Sequence, residues 1–235
     1  MNILAIDTSN QVLGVAILRD GQILGEVVTN LKKNHSFRLM PAINSLMNEV
    51  LMTPEQLDKI AVAKGPGSYT GVRIGLSTAK TMAWALGIPI AGVSSLETLA
   101  YQGRFFDSYV CAFFGARRGL VFSGVYRWHN GKLKAVYEEK NQLMEELLKG
   151  LAVEKKKVLF LSPDIALYKE TINHFLGELA IIPEEPFHLA KPSHLAIAGM
   201  SREADETHTL TPNYLRLAEA EANWIKAQKE KQQNG

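Results

Sequence analysis

The chain opens on a short buried-strand pattern, NILAID, followed by two further apolar runs, VLGVAIL and QILGEVV. Arg19-Asp20-Gly21 separates those runs, and Asp-Gly between two strand patterns predicts a tight antiparallel hairpin. The first strand ends in Asp7-Thr8-Ser9. Residues 36–51, SFRLMPAINSLMNEVL, carry Leu39, Ile43, Leu46 and Val50 at helical spacing. Met40, Met47 and Leu51 widen that stripe sideways, and Pro41 within it marks a first turn or a kink. Thr53-Pro54 predicts a cap and first-turn pair. KIAVAK is a further buried strand, and GPGSYTG at residues 65–71 leads into a helix that runs to about Leu86. Gly87 stops that helix, and PIAGV is a fifth strand.

The second half repeats the order. SYVCAFF, LVFSGVY and KLKAVYEE predict a second three-strand meander with Asn130-Gly131 at its turn. A helix near 142–149, the strand KVLFL, a helix near 164–176 and a weak strand near 179–182 follow. Strand-strand-strand, helix, strand, helix, strand therefore occurs twice, near 2–93 and 108–182, without residue-level repetition. This order predicts an α/β protein of two related domains, each a mixed sheet flanked by helices. The expected division is 1–103, 104–210 and a C-terminal segment with a helical tail, 211–235. A helix near 193–203 falls in the second of these.

Composition narrows the function classes. The formal net charge is +2 over 235 residues, with 46% hydrophobic and 21% charged, which fits a folded domain and gives no basic footprint for nucleic acid. Lys155-Lys156-Lys157 reads as a solvated loop. Cys111, the single cysteine, sits in the apolar run YVCAFF and reads as a small buried thiol. MNILAID lacks the basic start of a secretory signal, and no stretch approaches the roughly 20 apolar residues that span a bilayer. The expected location is cytoplasmic, with no membrane contact.

GPGSYTG is placed as a phosphate loop would be, between strand and helix, yet it matches neither GxxxxGK[ST] nor GxGxxG. No lysine follows Gly71, and Pro66 lacks an N–H. The helix beyond carries Gly71, Gly75, Ala79 and Ala83 on one face, which permits close backbone approach. Arg73, Ser77, Lys80 and Trp84 share another face, where Trp84 either anchors a partner or tucks under the chain's own C-terminal part. Asp7-Thr8-Ser9 has the layout of the first phosphate loop of actin-like ATPases, or equally of a turn that caps the hairpin. No histidine pair has metal-binding helical spacing, Ser94 and Ser95 lie in no GxSxG elbow, and no catalytic constellation emerges.

MNILAIDTS, the run VAKGPGSYTGVRIGLSTAKTMAWALGIPIAGVSSLETLA, and the late PNYLR resemble one family closely, the bacterial tRNA threonylcarbamoyladenosine-biosynthesis subunit TsaB, or YeaZ. The resemblance spans nearly all of residues 1–103, and beyond them only the pattern and PNYLR match. It implies the actin-like ATPase fold and a catalytic paralogue, TsaD, which transfers threonylcarbamoyl to the adenosine beside the anticodon in tRNAs reading ANN codons. The paralogue's metal-holding HxxxH falls where this chain has Ser95 and Leu99, so the resemblance implies a subunit without metal chemistry of its own.

What the resemblance leaves is a binding role. It implies association with TsaD through the helices at 36–51 and 70–86, with Leu39, Met40, Ile43, Met47, Arg73, Ser77, Lys80 and Trp84 at the interface. It further implies that the ATPase TsaE joins the complex, that a homodimer forms when TsaD is absent, and that tRNA is met through the whole assembly. No cofactor is expected to be tightly bound. ATP or ADP can enter at the partner interface, with residual nucleotide contact from Asp7, Thr8, Ser9, Gly65, Gly67 and Gly71. The alternatives are a small actin-like phosphotransferase or ATPase using Asp7 and the glycine turn, and a peptidase.

Overall fold

The computed structural model describes residues 1–31 and 34–215. The expected helical tail lies outside the described residues from residue 216 on. The first hairpin is β1 (Asn2–Asp7) and β2 (Val12–Arg19), and β3 (Gln22–Asn30) pairs with β2 across the Asp20-Gly21 turn. Asp20 and Gly21 both take positive φ, 51° and 81°, as a tight hairpin needs. α1 (His35–Glu49) leads to β4 (Lys59–Ala63), and α2 (Tyr69–Leu86) leads to β5 (Ile90–Val93). Both β4 and β5 run parallel to β1, giving the sheet order β3-β2-β1-β4-β5.

A short α3 (Ser95–Ala100) connects to the second sheet, built from β6 (Tyr109–Gly115), β7 (Leu120–His129), β8 (Lys132–Leu143), β9 (Val158–Leu161) and β10 (Ala180–Ile181). Its order, β10-β9-β6-β7-β8, read from the other edge is the first sheet's order over again. α4 (Met144–Glu154) and α5 (Ile165–Leu176) hold the places of α1 and α2. The doubled order legible in the sequence is thus a doubled topology.

The cores explain how the halves join. Leu39, Ile43, Leu46 and Met47 of α1 and Leu76, Ala79 and Ala83 of α2 bury against one face of the first sheet. Its opposite face is covered by α6 (Pro192–Met200), through Leu195, Ala196 and Ala198 against Ile3, Ala16, Ala61 and Val93. α3 likewise places Leu96, Leu99 and Ala100 against Val110, Ala112 and Phe114 of the second sheet. Each half of the chain lends the other a helix. A division at residue 103 therefore parts the two sheets but not the two cores, and 192–210 belongs with the first domain. Burying each such Leu, Ile or Val stabilises by roughly 1.5–3 kcal/mol, so neither sheet is complete without the loan.

Two local expectations change. Pro41 does not mark the first turn, since it lies inside α1, whose cap is Asn34, accepting from the Ser36 amide. The helix expected at 142–149 begins at Met144 and continues to Glu154, because β8 extends to Leu143. Among the described residues no helix is long and apolar enough to cross a membrane.

α6 also brings His194 between the domains, 6.0 Å from the Tyr101 ring, which meets Trp128 edge-on at 5.0 Å. Burial is the main cause that pushes the His194 imidazole down to about 4; Lys191 and Arg104 add to it, and Glu26 opposes it. The folded state therefore holds this ring neutral, while the unfolded chain takes up its proton near the ordinary 6.5. Stability present above pH 6.5 is lost as pH falls toward 4, by up to roughly 3 kcal/mol. Urea unfolding from pH 7 to 4.5 should show a shallower loss for His194→Gln than for the wild type, and equal slopes would exclude His194 as the cause.

Candidate functional site

β1 delivers Asp7 to the sheet's end, where the Asp7 carboxylate Oδ1 accepts from the Ser9 amide at 2.8 Å and the Ser9 hydroxyl at 2.7 Å. The strand-to-helix turn after β4 closes directly on this group. Ser68 N donates to Ser9 O at 2.7 Å, and Thr8 Oγ1 donates to Gly71 O at 2.7 Å. A Cβ at Gly67 would collide with the Ser9 carbonyl, and one at Gly71 with that of Thr8. Gly75 meets Thr8 Oγ1, where a Cβ would stand 2.5 Å away. The two glycines of the small-residue face of α2 are therefore spent on the end of β1. Gly65 takes φ +94°, and its carbonyl accepts from Ser95 N at 2.9 Å.

The two turns satisfy each other. Asp7, Thr8 and Ser9 are at most 2% exposed. Burial pushes the Asp7 carboxyl up, against the opposing pull of the Ser9 bonds and the nearby His35. A carboxylate that orients a hydrated metal needs water beside it, and a phosphate cradle needs free amides. Asp7, Thr8, Ser9 and Gly71 instead carry internal hydrogen bonds, and the buried Asp7 carboxylate does not fit a hydrated metal. Ser95 and Leu99 are both fully buried, Leu99 within the apolar cluster of α3. Among the described residues no group of three or more His, Cys, Asp or Glu is placed to hold a metal ion.

Beyond these turns lies a cleft of about 700 Å³ between the domains. Tyr69 and Tyr214 line one side and Arg117, Phe122 and Asp164 the other. The second domain repeats the closure of the first: Asp164 Oδ2, beyond β9, accepts from Gly115 N at 2.8 Å at the end of β6.

The expected interface residues divide. Leu39, Ile43 and Met47 are 1%, 2% and 4% exposed, consumed by the chain's own core, and are corrected from docking residues to core. Met40 and Trp84 stand out at 48% and 68%, so Trp84 does not tuck under the C-terminal part. Ser77 is exposed, while Arg73 and Lys80 are occupied by the C-terminal segment. Arg73 Nε donates to Tyr214 Oη at 2.7 Å, and Lys80 Nζ to the carbonyls of His208 and Leu210 at 3.1 and 3.0 Å. Phe37, 78% exposed, was not singled out by the core stripe, although its offset from Leu39 and its spacing to Met40 place it on the outer face.

That outer face differs from its counterpart. The exposed positions of α1 are Ser36, Phe37, Met40, Pro41, Asn44, Ser45, Asn48 and Glu49, and those of α2 include Thr70, Ser77, Thr81, Trp84 and Ala85. Glu49 and Arg73 are the exposed charges there. The equivalent α4 and α5 expose Glu145, Glu146, Lys149, Lys169 and Glu170. Charge depletion with exposed aromatic and methionine side chains marks the centre of an interface.

Residues 22–224 match the family model of TsaD, tRNA N6-adenosine threonylcarbamoyltransferase. The chain is 52% identical over 229 residues to the Bacillus subtilis tRNA threonylcarbamoyladenosine biosynthesis protein TsaB, covering 97% of this chain and all of that one. It is 31% identical to the Escherichia coli protein of the same name, over 66% of this chain and 69% of that one. A Pseudomonas aeruginosa structure described as similar to peptidase YEAZ superposes with a TM-score of 0.76 at 26% identity, over 92% and 99% of the two chains. With the doubled sheet and exchanged helices, these likenesses make the fold that of the actin-like ATPases, and the chain belongs to the TsaB, or YeaZ, family of tRNA threonylcarbamoyladenosine biosynthesis proteins.

Proposed function

We propose that this chain is a non-catalytic subunit in threonylcarbamoyl modification of tRNA, acting by seating the outer face of α1 and α2 on a TsaD-type catalytic subunit. The observation that carries this reading is the contrast between the two helical layers: Phe37, Met40 and Trp84 exposed on a charge-poor face, against the charged α4 and α5. The non-catalytic role is supported by the closure of the Asp7 turn on Gly67 and Ser68, and by the buried Ser95 and Leu99.

We extend the same reading to the rest of the assembly. TsaE joins through the assembled pair, and without TsaD the face pairs with a second copy. ATP or ADP enters at the partner interface, where the Asp7 carboxylate, buried and bonded to Ser9, takes no part in holding a metal. A net charge of +2 suits a subunit that meets tRNA within the cytoplasmic complex rather than alone.

Reconstitution from purified components tests the role: leaving this chain out should abolish modification, and full activity without it would refute the proposal. The surface has its own test. Phe37→Asp, Met40→Asp and Trp84→Asp should each weaken binding to TsaD at least tenfold, as truncated interface anchors do, with unchanged thermal unfolding. Leu167→Asp on the exposed face of α5 is the control, expected to bind as wild type. Wild-type affinity in all three variants would place the partner elsewhere.

A further inference from the structure

Residues 208–215 form no helix or strand, yet they are fastened along their length. Leu210, 6% exposed, enters the core beneath α2. Lys80 holds the carbonyls of His208 and Leu210, Asn213 N donates to Lys64 O at 2.7 Å beyond β4, and Tyr214 stacks on Tyr69 at 5.3 Å. All of these anchors belong to the first domain, and Lys80 and Arg73 lie on the same face of α2 as Ser77 and Trp84.

A side-chain bond then crosses to the second domain. Asn213 Nδ2 donates to Glu139 Oε2 at 3.1 Å, while Glu139 Oε1 accepts from Tyr126 Oη at 2.7 Å. The receptor for Asn213 has its own local architecture. Tyr126 is 4% exposed, and its hydroxyl lies over Gly124, where a Cβ would stand 2.6 Å away. The β7–β8 register breaks on both sides of Val125, which is what aims the ring there. Asn213 and Leu215 also line both the 700 Å³ cleft and a second cavity of about 400 Å³ beside Glu97 and Arg202, so the segment is the wall between them.

We infer that His208–Leu215 is a coupling strap: a partner over Ser77 and Trp84 bears on Lys80 and Arg73, and through Asn213 and Glu139 fixes the angle between the two sheets and the width of the cleft. The inference rests on the docking reading of α1 and α2. It adds that docking is felt in the second domain, which a merely adhesive face would not require.

The test measures the distance between spin labels at Gln22→Cys at the start of β3, off the α1–α2 face, and Lys169→Cys on α5, both exposed, by double electron–electron resonance. Cys111 is buried, and burial raises its thiol pKa, so it should stay unlabelled. In the free chain, Asn213→Ala and Asn213→Asp should broaden the distance distribution relative to wild type. The second variant opposes Glu139 with a like charge at nearly constant volume. Adding TsaD should narrow the wild-type distribution. It should leave the variants broad, with affinity weakened about fivefold, the lower end of ordinary coupling between sites. A free-chain distribution unchanged by both variants overturns the strap even where Trp84→Asp abolishes binding, and the docking reading then survives. Broadening in the variants with no effect of TsaD on the wild type overturns the coupling. Wild-type binding by the Phe37, Met40 and Trp84 variants overturns docking itself, and the coupling with it.

Discussion

A five-stranded sheet with apolar residues on both faces must be covered twice, and each half of this chain folds back over one face only. The loan of α6 to the first sheet and α3 to the second meets that constraint. α6 can lie close because Gly199 stands against Ala61, where a Cβ would approach to 2.5 Å. The exchange makes the domains interdependent: the chain must traverse the second sheet before the first can close. The cleft follows from this, since two sheets tied through adjacent buried helices face each other at the ends where β1 and β6 finish.

At those ends the turns after β1 and β4 lock into a structural joint. The Asp7 carboxylate is paired with the Ser9 amide and hydroxyl, and the Ser68 amide with the Ser9 carbonyl, at 2.7–2.8 Å. A buried hydrogen-bonded pair is expensive to open, because each group would have to be desolvated again without its partner. What remains is the geometry of the fold, with α1 and α2 held in parallel on the outer face of the first sheet.

Much of this was legible in the residues. The Asp20-Gly21 and Asn130-Gly131 turns, the helical stripe of α1 and the twice-repeated order all have local signatures. The placement of α6 did not, since a helix that buries Leu195, Ala196, Ala198 and Gly199 says that it is buried and not against which sheet. α3, six residues long, is too short for a period to show. At the site, Met40 and Met47 both widened the α1 stripe, but Met47 joins Leu39 and Ile43 in the core while Met40 stands outside with Phe37. The Asn213–Glu139 bond joins residues 74 apart in sequence and follows no repeat, so no reading of spacing could find it.

The contrast between the charge-poor α1–α2 layer and the charged α4–α5 layer bears on how much of this protein a cell can hold. A surface with few charges and protruding Phe37, Met40 and Trp84 invites self-association once it is left uncovered. On the proposed docking, chain made in excess of its partner covers that face by pairing with a second copy, so the surplus is stored as dimer rather than left with the face open.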